Sequence, residues 1–219
     1  MFGGIWQFVK EPDNQAVLAS IGAGIAAIAT GAWAVFTFLA KKREKGPTPP
    51  GVKAAPFDTE QQWRFLLDRA RELYKQGDES GDNAALAEAI EVYRRCLALA
   101  PRPEMPLEWA MTQMYLGVAL GTLGERERGA ARLEEAIAAF RDALKENTRA
   151  RVPLDWAATQ FNLASAYRAL YDRSAEPRYL DNALAAIAAA LDGYRKAKAP
   201  FYIENAKRLQ SEIFAARRK

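Results

Sequence analysis

The sequence predicts an all-α protein, with a single N-terminal transmembrane helix followed by an α-solenoid of three helix pairs plus a terminal helix. Three observations predict this: an uncharged run of 25 residues before a basic cluster, a repeat with a period of 47 residues, and apolar residues at helical spacing within the repeats. The predicted segments are a short interfacial segment at 1–15, the membrane helix at 16–40, a basic and proline-rich linker at 41–56, and the repeat domain at 57–219.

The run AVLASIGAGIAAIATGAWAVFTFLA at 16–40 has no charged side chain. A helix rises about 1.5 Å per residue, so this run extends roughly 37 Å, more than the ~30 Å hydrocarbon core of a bilayer. A cleaved signal peptide is the competing interpretation. It requires a basic start and an apolar core of about 7 to 15 residues, whereas this run is longer and its preceding flank, KEPDNQ, is acidic on balance. The pattern therefore favours a membrane anchor.

The distribution of basic residues predicts the orientation of the span. Lys10 precedes it, and the basic residues that follow it are Lys41, Lys42, Arg43, Lys45 and Lys53. Lys and Arg close to a span stay on the cytoplasmic side. We therefore expect a cytoplasmic repeat domain and an external N-terminus, with a periplasmic repeat domain as the alternative.

The span also carries a stripe of small side chains, which recur every four residues at Ala19, Ala23, Ala27 and Gly31. Small residues let another helix approach closely, although alanine and glycine are common in membrane spans generally. The stripe indicates either chance or a transmembrane helix-packing site, used for self-association or for docking against an integral membrane partner.

Segments on both sides of the span are expected at the membrane surface. The first 15 residues include Phe2, Trp6 and Phe8, which suit an interfacial segment, with a frayed tail as the alternative. After the span, a cluster is placed for contact with anionic lipid, namely Lys41, Lys42, Arg43 and Lys45. The proline-rich stretch GPTPPGVKAAP then predicts an extended spacer between the membrane and the repeat domain.

The repeat domain is nearly neutral, which argues against a nucleic-acid partner. The whole chain has a net charge of +4, but residues 57–219 hold 25 basic and 24 acidic side chains. Binding to phosphate backbones requires a basic surface. The excess positive charge lies beside the predicted membrane helix instead.

The side-chain inventory argues against catalysis and metal binding. The chain has no histidine, and Cys96 is its single cysteine. Histidine and cysteine metal sites, catalytic triads and intramolecular disulfides therefore cannot be built within it. Cys96 is predicted to be a small buried core residue, and the adjacent Glu134 and Glu135 are predicted to be solvated charges. We expect no catalytic residues, no cofactor and no metal.

The repeat can be read from two matching octapeptides. PLEWAMTQ at 106–113 returns as PLDWAATQ at 153–160, and Pro200 begins PFYIENAK after a further 47 positions. The segments LAEAIEVYRRCL, LEEAIAAFRDAL and LDNALAAIAAAL keep the same period, with apolar residues at helical spacing. Such self-similarity is typical of a helical solenoid.

The stretch EAIEVYRRCLALAP at 88–101 resembles the second helix of the tetratricopeptide repeat, with its alanine, aromatic residue, small residue and closing proline. Leu-Gly at 116–117 and Leu-Ala at 163–164 resemble the first-helix motif of that family. The resemblance covers residues 59–219. The family unit has about 34 residues, so the longer unit here implies either a longer turn between paired helices or an early start of the second helix.

In the tetratricopeptide family, first helices line a concave groove that binds a partner peptide or helix. The resemblance places a set of side chains in this groove: Arg64, Arg71, Tyr74, Met111, Met114, Tyr115, Phe161, Asn162, Arg168, Asn205 and Arg208. Methionine and aromatic side chains beside arginine suit an adaptable protein-binding surface. The alternative is that Met114 and Phe161 are core residues between neighbouring helices.

These features predict a non-catalytic adaptor of the bacterial inner membrane, since the chain also resembles alanine- and arginine-rich bacterial repeat proteins. It would hold a protein partner in the groove of its repeat domain. The alternative is an accessory or assembly subunit that contacts a larger membrane complex mainly through residues 16–40. The expected partners are proteins, including an integral membrane protein, and anionic lipid.

The predicted orientation can be tested by proteolysis. Protease added to intact cells or spheroplasts should leave the repeat domain uncut, because the basic cluster that follows the span keeps this domain in the cytoplasm. Lysis should then make the domain accessible. Cleavage before lysis would contradict the orientation and place the domain in the periplasm.

Overall fold

The computed structural model describes residues 58–218, which form seven α-helices and no strand. We number them α1 Thr59–Ser80, α2 Asn83–Leu99, α3 Pro106–Arg126, α4 Ala131–Ala143, α5 Pro153–Ser174, α6 Pro177–Lys196 and α7 Pro200–Arg217. The all-α prediction is confirmed for this part of the chain. The predicted membrane helix, interfacial segment and linker lie outside the described residues, and within 58–218 no helix combines the length and apolar character needed to span a bilayer.

The helix starts follow from local sequence. Pro106, Pro153 and Pro200 each begin a helix, where the missing N–H of proline is not needed for an intrahelical hydrogen bond. Asp58 and Asp82 cap α1 and α2, each accepting a hydrogen bond from a main-chain N–H of the first turn. The prolines that recur with the 47-residue period therefore mark three of the helix starts.

The helices pack in sequential pairs, α1 with α2, α3 with α4 and α5 with α6, and α7 packs after the third pair. Within the second pair the axes approach closely at Gly117, where a Cβ atom would lie 2.6 Å from the ring of Phe140. The corresponding residues of the other pairs are Ala70 with Tyr93 and Ala164 with Ile187, and all four are almost fully buried. A small residue on the first helix thus accompanies a large residue on the second.

The extra length of each repeat is taken up mainly by helix. α1, α3 and α5 have 22, 21 and 22 residues, and only two residues separate α1 from α2 and α5 from α6. The connection from α3 to α4 is longer, at residues 127–130. The first helix of each pair therefore extends past the expected turn, which neither sequence-based alternative had described. The second helices also begin two or three residues before Leu86, Leu133 and Leu180, in line with the predicted early start.

Arginine side chains repeat one contact between neighbouring pairs. At the end of α3, Arg126 donates hydrogen bonds to the main-chain carbonyls of Gly77 and Asp78, at 2.9 and 3.2 Å. Arg173, 47 positions later, donates to the carbonyl of Glu125 at 2.8 Å. Each arginine satisfies carbonyl groups at the C-terminal end of the preceding first helix, where intrahelical donors are lacking. The contact fixes the register of one pair against the next.

The last helix ends the stack with a more polar surface. The buried Leu163 and Ala164 of α5 face its second helix, and their counterparts on α7 are Gln210 and Ser211, neither of which is buried. Phe214 is the large apolar exception on α7, with 47% of its surface exposed. A polar outer face on a terminal unit keeps a repeat stack soluble. α7 is therefore a capping helix.

The close approach at Gly117 predicts a specific stability effect. Gly117→Ala should lower the free energy of unfolding by about 1 to 2 kcal/mol, because the clash with Phe140 outweighs the ~1 kcal/mol helix-propensity gain of alanine. Urea unfolding followed by tryptophan fluorescence measures this change.

Gly129→Ala is the matched control, since a Cβ atom at Gly129 would have no neighbour within 4 Å. It should change the free energy of unfolding by less than about 0.5 kcal/mol. Equal effects of the two substitutions would contradict the close packing of α3 on α4.

Candidate functional site

The first helices of the pairs form the candidate binding surface. Each contacts the next, in the order α1, α3, α5, α7, whereas the second helices make no extensive contact with one another. In the tetratricopeptide repeats that the sequence resembles, the first helices line the concave side of the stack. We call the side of α1, α3, α5 and α7 that faces away from the second helices the concave surface.

The middle of the concave surface is apolar and only partly covered. Met111, Met114 and Tyr115 of α3 and Phe161 of α5 are all half-buried. Each therefore packs against its neighbours and also presents part of its side chain to solvent. This intermediate exposure is compatible both with a binding surface and with packing between helices.

Arginine and tyrosine meet at the α1 end of the concave surface. The Arg71 guanidinium lies 5.6 Å from the centre of the Tyr115 ring, a cation–π distance, and Arg71 also pairs with Asp68 at 3.6 Å. The Tyr115 ring stacks on Tyr93 with a centroid distance of 6.1 Å. Arg64 is exposed and pairs with Glu60. Arg71 and Tyr115 are thus brought together as a preformed aromatic and cationic patch.

Tyr74 has a different environment from the other predicted groove residues. It is only 8% exposed, and its hydroxyl is 3.3 Å from the hydroxyl of Thr122 on α3. Burial raises the pKa of Tyr74 to about 12, so the hydroxyl remains protonated and able to donate this hydrogen bond at neutral pH. The structure therefore places Tyr74 in the contact between α1 and α3, with little surface left for a partner.

The end of the concave surface that α5 and α7 form has both exposed and buried polar side chains. Asn162 is 3% exposed, and its Nδ2 has no hydrogen-bond partner. Arg168 is half-buried beside Asp172 on the same helix, with which it forms an ion pair. Asn205 of α7 is half-buried and Arg208 is exposed. Buried donors without acceptors are rare in folded proteins, so the Asn162 amide is an exception, whereas the Arg168 guanidinium already has the Asp172 carboxylate as its partner.

A cleft between α5 and α7 adds residues that sequence reasoning missed. Its volume is about 270 Å³, and its lining is Arg168, Tyr171, Asp172, Glu212, Ala215 and Ala216. We call it the α5–α7 cleft. The repeat period could have revealed this cleft. Arg168 lies 94 positions, or two repeat periods, after Tyr74, and Ala216 lies 94 positions after Thr122. The hydrogen bond that closes the contact between α1 and α3 therefore has no counterpart here.

The acidic clusters and the cysteine of the described residues have ordinary environments. Within 58–218 there is no group of three or more His, Cys, Asp or Glu side chains placed to hold a metal ion. Glu135 pairs with Arg94 and Arg132, at 2.7 and 3.3 Å, as expected of a surface carboxylate. Cys96 is fully buried, and burial raises the pKa of its thiol to about 11. The predicted burial of Cys96 is confirmed.

Comparison with known proteins yields no family model, no curated protein and no solved structure that matches the chain.

The raised pKa of the thiol predicts that Cys96 is unreactive in the folded protein. At pH 8 only roughly one thiol in a thousand is ionised when the pKa is near 11, and the thiolate is the reactive form. Alkylation by iodoacetamide should therefore be at least about 100-fold slower in the native protein than in urea, where the pKa returns to about 8.5. Mass spectrometry measures the rate, with Cys96→Ala as the blank. Rapid labelling of the native protein would contradict the burial of this side chain.

Proposed function

We propose that this protein is a non-catalytic adaptor, tethered to the bacterial inner membrane by residues 16–40, that captures a protein partner on its concave surface. The observation that carries the proposal is the set of half-buried methionine and aromatic side chains on that surface, flanked by Arg71 and Arg168. Flexible methionines, aromatic residues and arginine are enriched at protein-binding surfaces.

The helix arrangement gives the proposal further support. Antiparallel pairs whose first helices line one side are the architecture expected from the resemblance to the tetratricopeptide repeat, and the resemblance implies that this side binds a peptide or helix. Leu116 and Gly117, which carry part of that resemblance, are buried at the contact between paired helices. We propose a tetratricopeptide-like fold with lengthened first helices.

Tethering is the proposed mechanism. A binding surface confined to the membrane raises the local concentration of a bound partner near other membrane components, which increases apparent affinity with no chemical step. The proposal places the repeat domain in the cytoplasm and the basic residues from Lys41 to Lys45 at anionic lipid.

The stripe formed by Ala19, Ala23, Ala27 and Gly31 favours a second candidate function. In this alternative the protein is an accessory or assembly subunit, and the membrane helix makes the main contact with a larger complex or with a second copy of the chain. The two candidates differ in which part of the chain the partner requires.

Partner capture by variants of the full chain distinguishes them. Proteins recovered from detergent-solubilised membranes are identified by mass spectrometry and quantified for each variant. Phe161→Ala and Arg168→Glu should each weaken capture of the specific partner by about 1 kcal/mol or more, the level typical of interface hot spots. Melting temperatures separate lost binding from lost folding, because a core phenylalanine would cost about 3 to 5 kcal/mol of stability.

Phe214→Ala and Arg195→Glu are the matched controls. Phe214 is exposed on the side of α7 that corresponds, 47 positions earlier, to the buried Tyr167, which stacks on Tyr179 of α6, and Arg195 is exposed on α6 itself. They should capture the partner normally. Normal capture by Phe161→Ala and Arg168→Glu, with loss of capture when Ala23, Ala27 and Gly31 are changed to Leu, would contradict the groove and favour the accessory subunit.

A further inference from the structure

Positive charge is concentrated at one edge of the helix stack. Three segments contain the turns from each second helix to the next first helix, and we call the edge that they form the basic edge: 93–105, 140–152 and 187–199. The equally long segments at the opposite edge are 74–86, 121–133 and 168–180. The basic edge holds ten basic and four acidic side chains, whereas the opposite edge holds seven of each. The near neutrality of the whole domain therefore conceals an uneven distribution.

Two carboxylates of the basic edge are each shared by two cations. Glu146 pairs with Arg102 at 2.7 Å and also with Arg151. Asp192 holds two cations in the same way, namely Arg149 and Lys196. These four cations keep between 44 and 63% of their side-chain surface exposed. Exposed ion pairs are weak, so the cations remain available to further anions.

Carboxylates in the first turns and caps of the first helices reduce this charge only in part. They lie at the positive ends of the helix dipoles, which offset them. They are Asp58, Glu60, Glu108 and Asp155. The excess of lysine and arginine in the turns therefore still distinguishes this edge.

Apolar side chains project from the same edge. Leu107 and Leu154 lie 47 positions apart in the first turns of α3 and α5, and they are 38 and 41% exposed. Side chains of a helix are tilted toward its N-terminus, so both leucines point toward the basic edge. Two cation–π contacts recur beside them, with distances of 5.4 and 5.1 Å to the ring centres: Arg102 on Trp109, and Arg149 on Trp156. Exposed leucine, tryptophan and arginine are thus repeated together along this edge.

The chain enters the repeat domain at the basic edge. Near the start of α1, the indole Nε1 of Trp63 donates a hydrogen bond to the hydroxyl of Thr112, near the start of α3, at 3.0 Å. The starts of α1 and α3 therefore lie side by side at this edge. In the sequence, 17 residues separate the predicted membrane helix at 16–40 from residue 58, where the described structure begins. The proposed tether is thus attached at the basic edge.

We propose that the basic edge docks on the surface of an anionic bilayer, with its lysine and arginine side chains at the lipid phosphates and Leu107 and Leu154 at the acyl-chain boundary. This rests on the proposed membrane tether and adds a second contact that orients the domain. Basic side chains are attracted to anionic headgroups, and leucine and tryptophan suit the membrane interface. The first helices would then start at the membrane and extend away from it, which leaves the concave surface accessible from the side.

The test uses the full-length chain reconstituted into vesicles, with Cys96→Ala and one new labelled cysteine. Ala150→Cys places an environment-sensitive fluorophore at the basic edge, and Gly129→Cys places it at the opposite edge, both at exposed positions. The vesicles contain phosphatidylcholine alone or with about 30% phosphatidylglycerol, and a small fraction of the lipids carries a nitroxide quencher on the headgroup. In anionic vesicles, quenching at position 150 should exceed quenching at position 129 at least about threefold. Salt at about 0.5 M should reduce this difference, because it screens the charges.

Charge reversal at the two edges provides matched variants. Arg151→Glu with Lys198→Glu removes two exposed cations from the basic edge and should lower quenching at position 150 at least about threefold. Arg128→Glu with Arg178→Glu makes the same change at exposed positions of the opposite edge and should leave quenching within about 1.5-fold. Circular dichroism and melting temperature confirm that the variants are folded.

The apolar part of the contact is tested separately. Leu107→Ser with Leu154→Ser should lower quenching at position 150 at least about twofold, because the leucines no longer enter the acyl-chain boundary. Phe214→Ser is the control, since it removes an exposed apolar side chain near the end of α7, away from the basic edge. It should leave quenching unchanged.

The outcomes separate this contact from the tether. Equal quenching at positions 150 and 129, or quenching at 150 that survives both sets of edge substitutions, would overturn the docking of the basic edge, and flotation of the chain with the vesicles would leave the tether standing. Failure to float with phosphatidylcholine vesicles would contradict the tether. Docking would then stand only if the chain floats with anionic vesicles and position 150 is quenched. Binding of an RNA oligonucleotide that is lost on Arg151→Glu with Lys198→Glu, without quenching by lipid, would overturn docking and assign the edge to nucleic acid.

Discussion

The described fold depends on the close approach of each first helix to its paired second helix. A small residue on one side and a large residue on the other make this approach possible, as Gly117 and Phe140 show. The large side chain is buried by the pair itself, so each pair forms a compact unit. The first helices then have one side free, and successive pairs bring those sides together as the concave surface. A bulkier residue at Gly117 would meet the Phe140 ring at this contact.

Contacts between pairs are fewer than those within pairs, and they include several polar side chains. Arg126 and Arg173 each donate hydrogen bonds to main-chain carbonyls at the end of the preceding first helix. Between α1 and α3, the hydroxyls of Tyr74 and Thr122 are hydrogen-bonded to each other. At α5 and α7 the equivalent of Tyr74 is Arg168, which finds alanine instead of a hydroxyl. Two changes at repeated positions, from Tyr74 to Arg168 and from Thr122 to Ala216, thus accompany the replacement of a closed helix contact by an open, polar cleft.

Much of the fold could be predicted from the sequence because its signals are local. Proline marks the start of α3, α5 and α7, and apolar spacing identifies the buried side of each helix, including Cys96. The candidate site was harder to predict from the sequence, because its contacts join residues that are far apart in the chain. Tyr74 and Thr122 are 48 positions apart, and the pairing of their hydroxyls removes Tyr74 from the open surface. The length of the first helices was also not predicted. GDES at 77–80 and GERE at 124–127, at the ends of α1 and α3, contain the glycine and charged residues that are typical of turns.

Native-state hydrogen exchange on residues 57–219, followed by mass spectrometry, tests the central claim most directly. The claim is that these residues form a stack in which each helix is stabilised by its neighbours. It predicts slow exchange throughout α2 to α6, with faster exchange in α7 and the first turns of α1, because the described residues cover those helices from one side only. Fast exchange in α3 and α5, at the centre of the stack, would contradict the account.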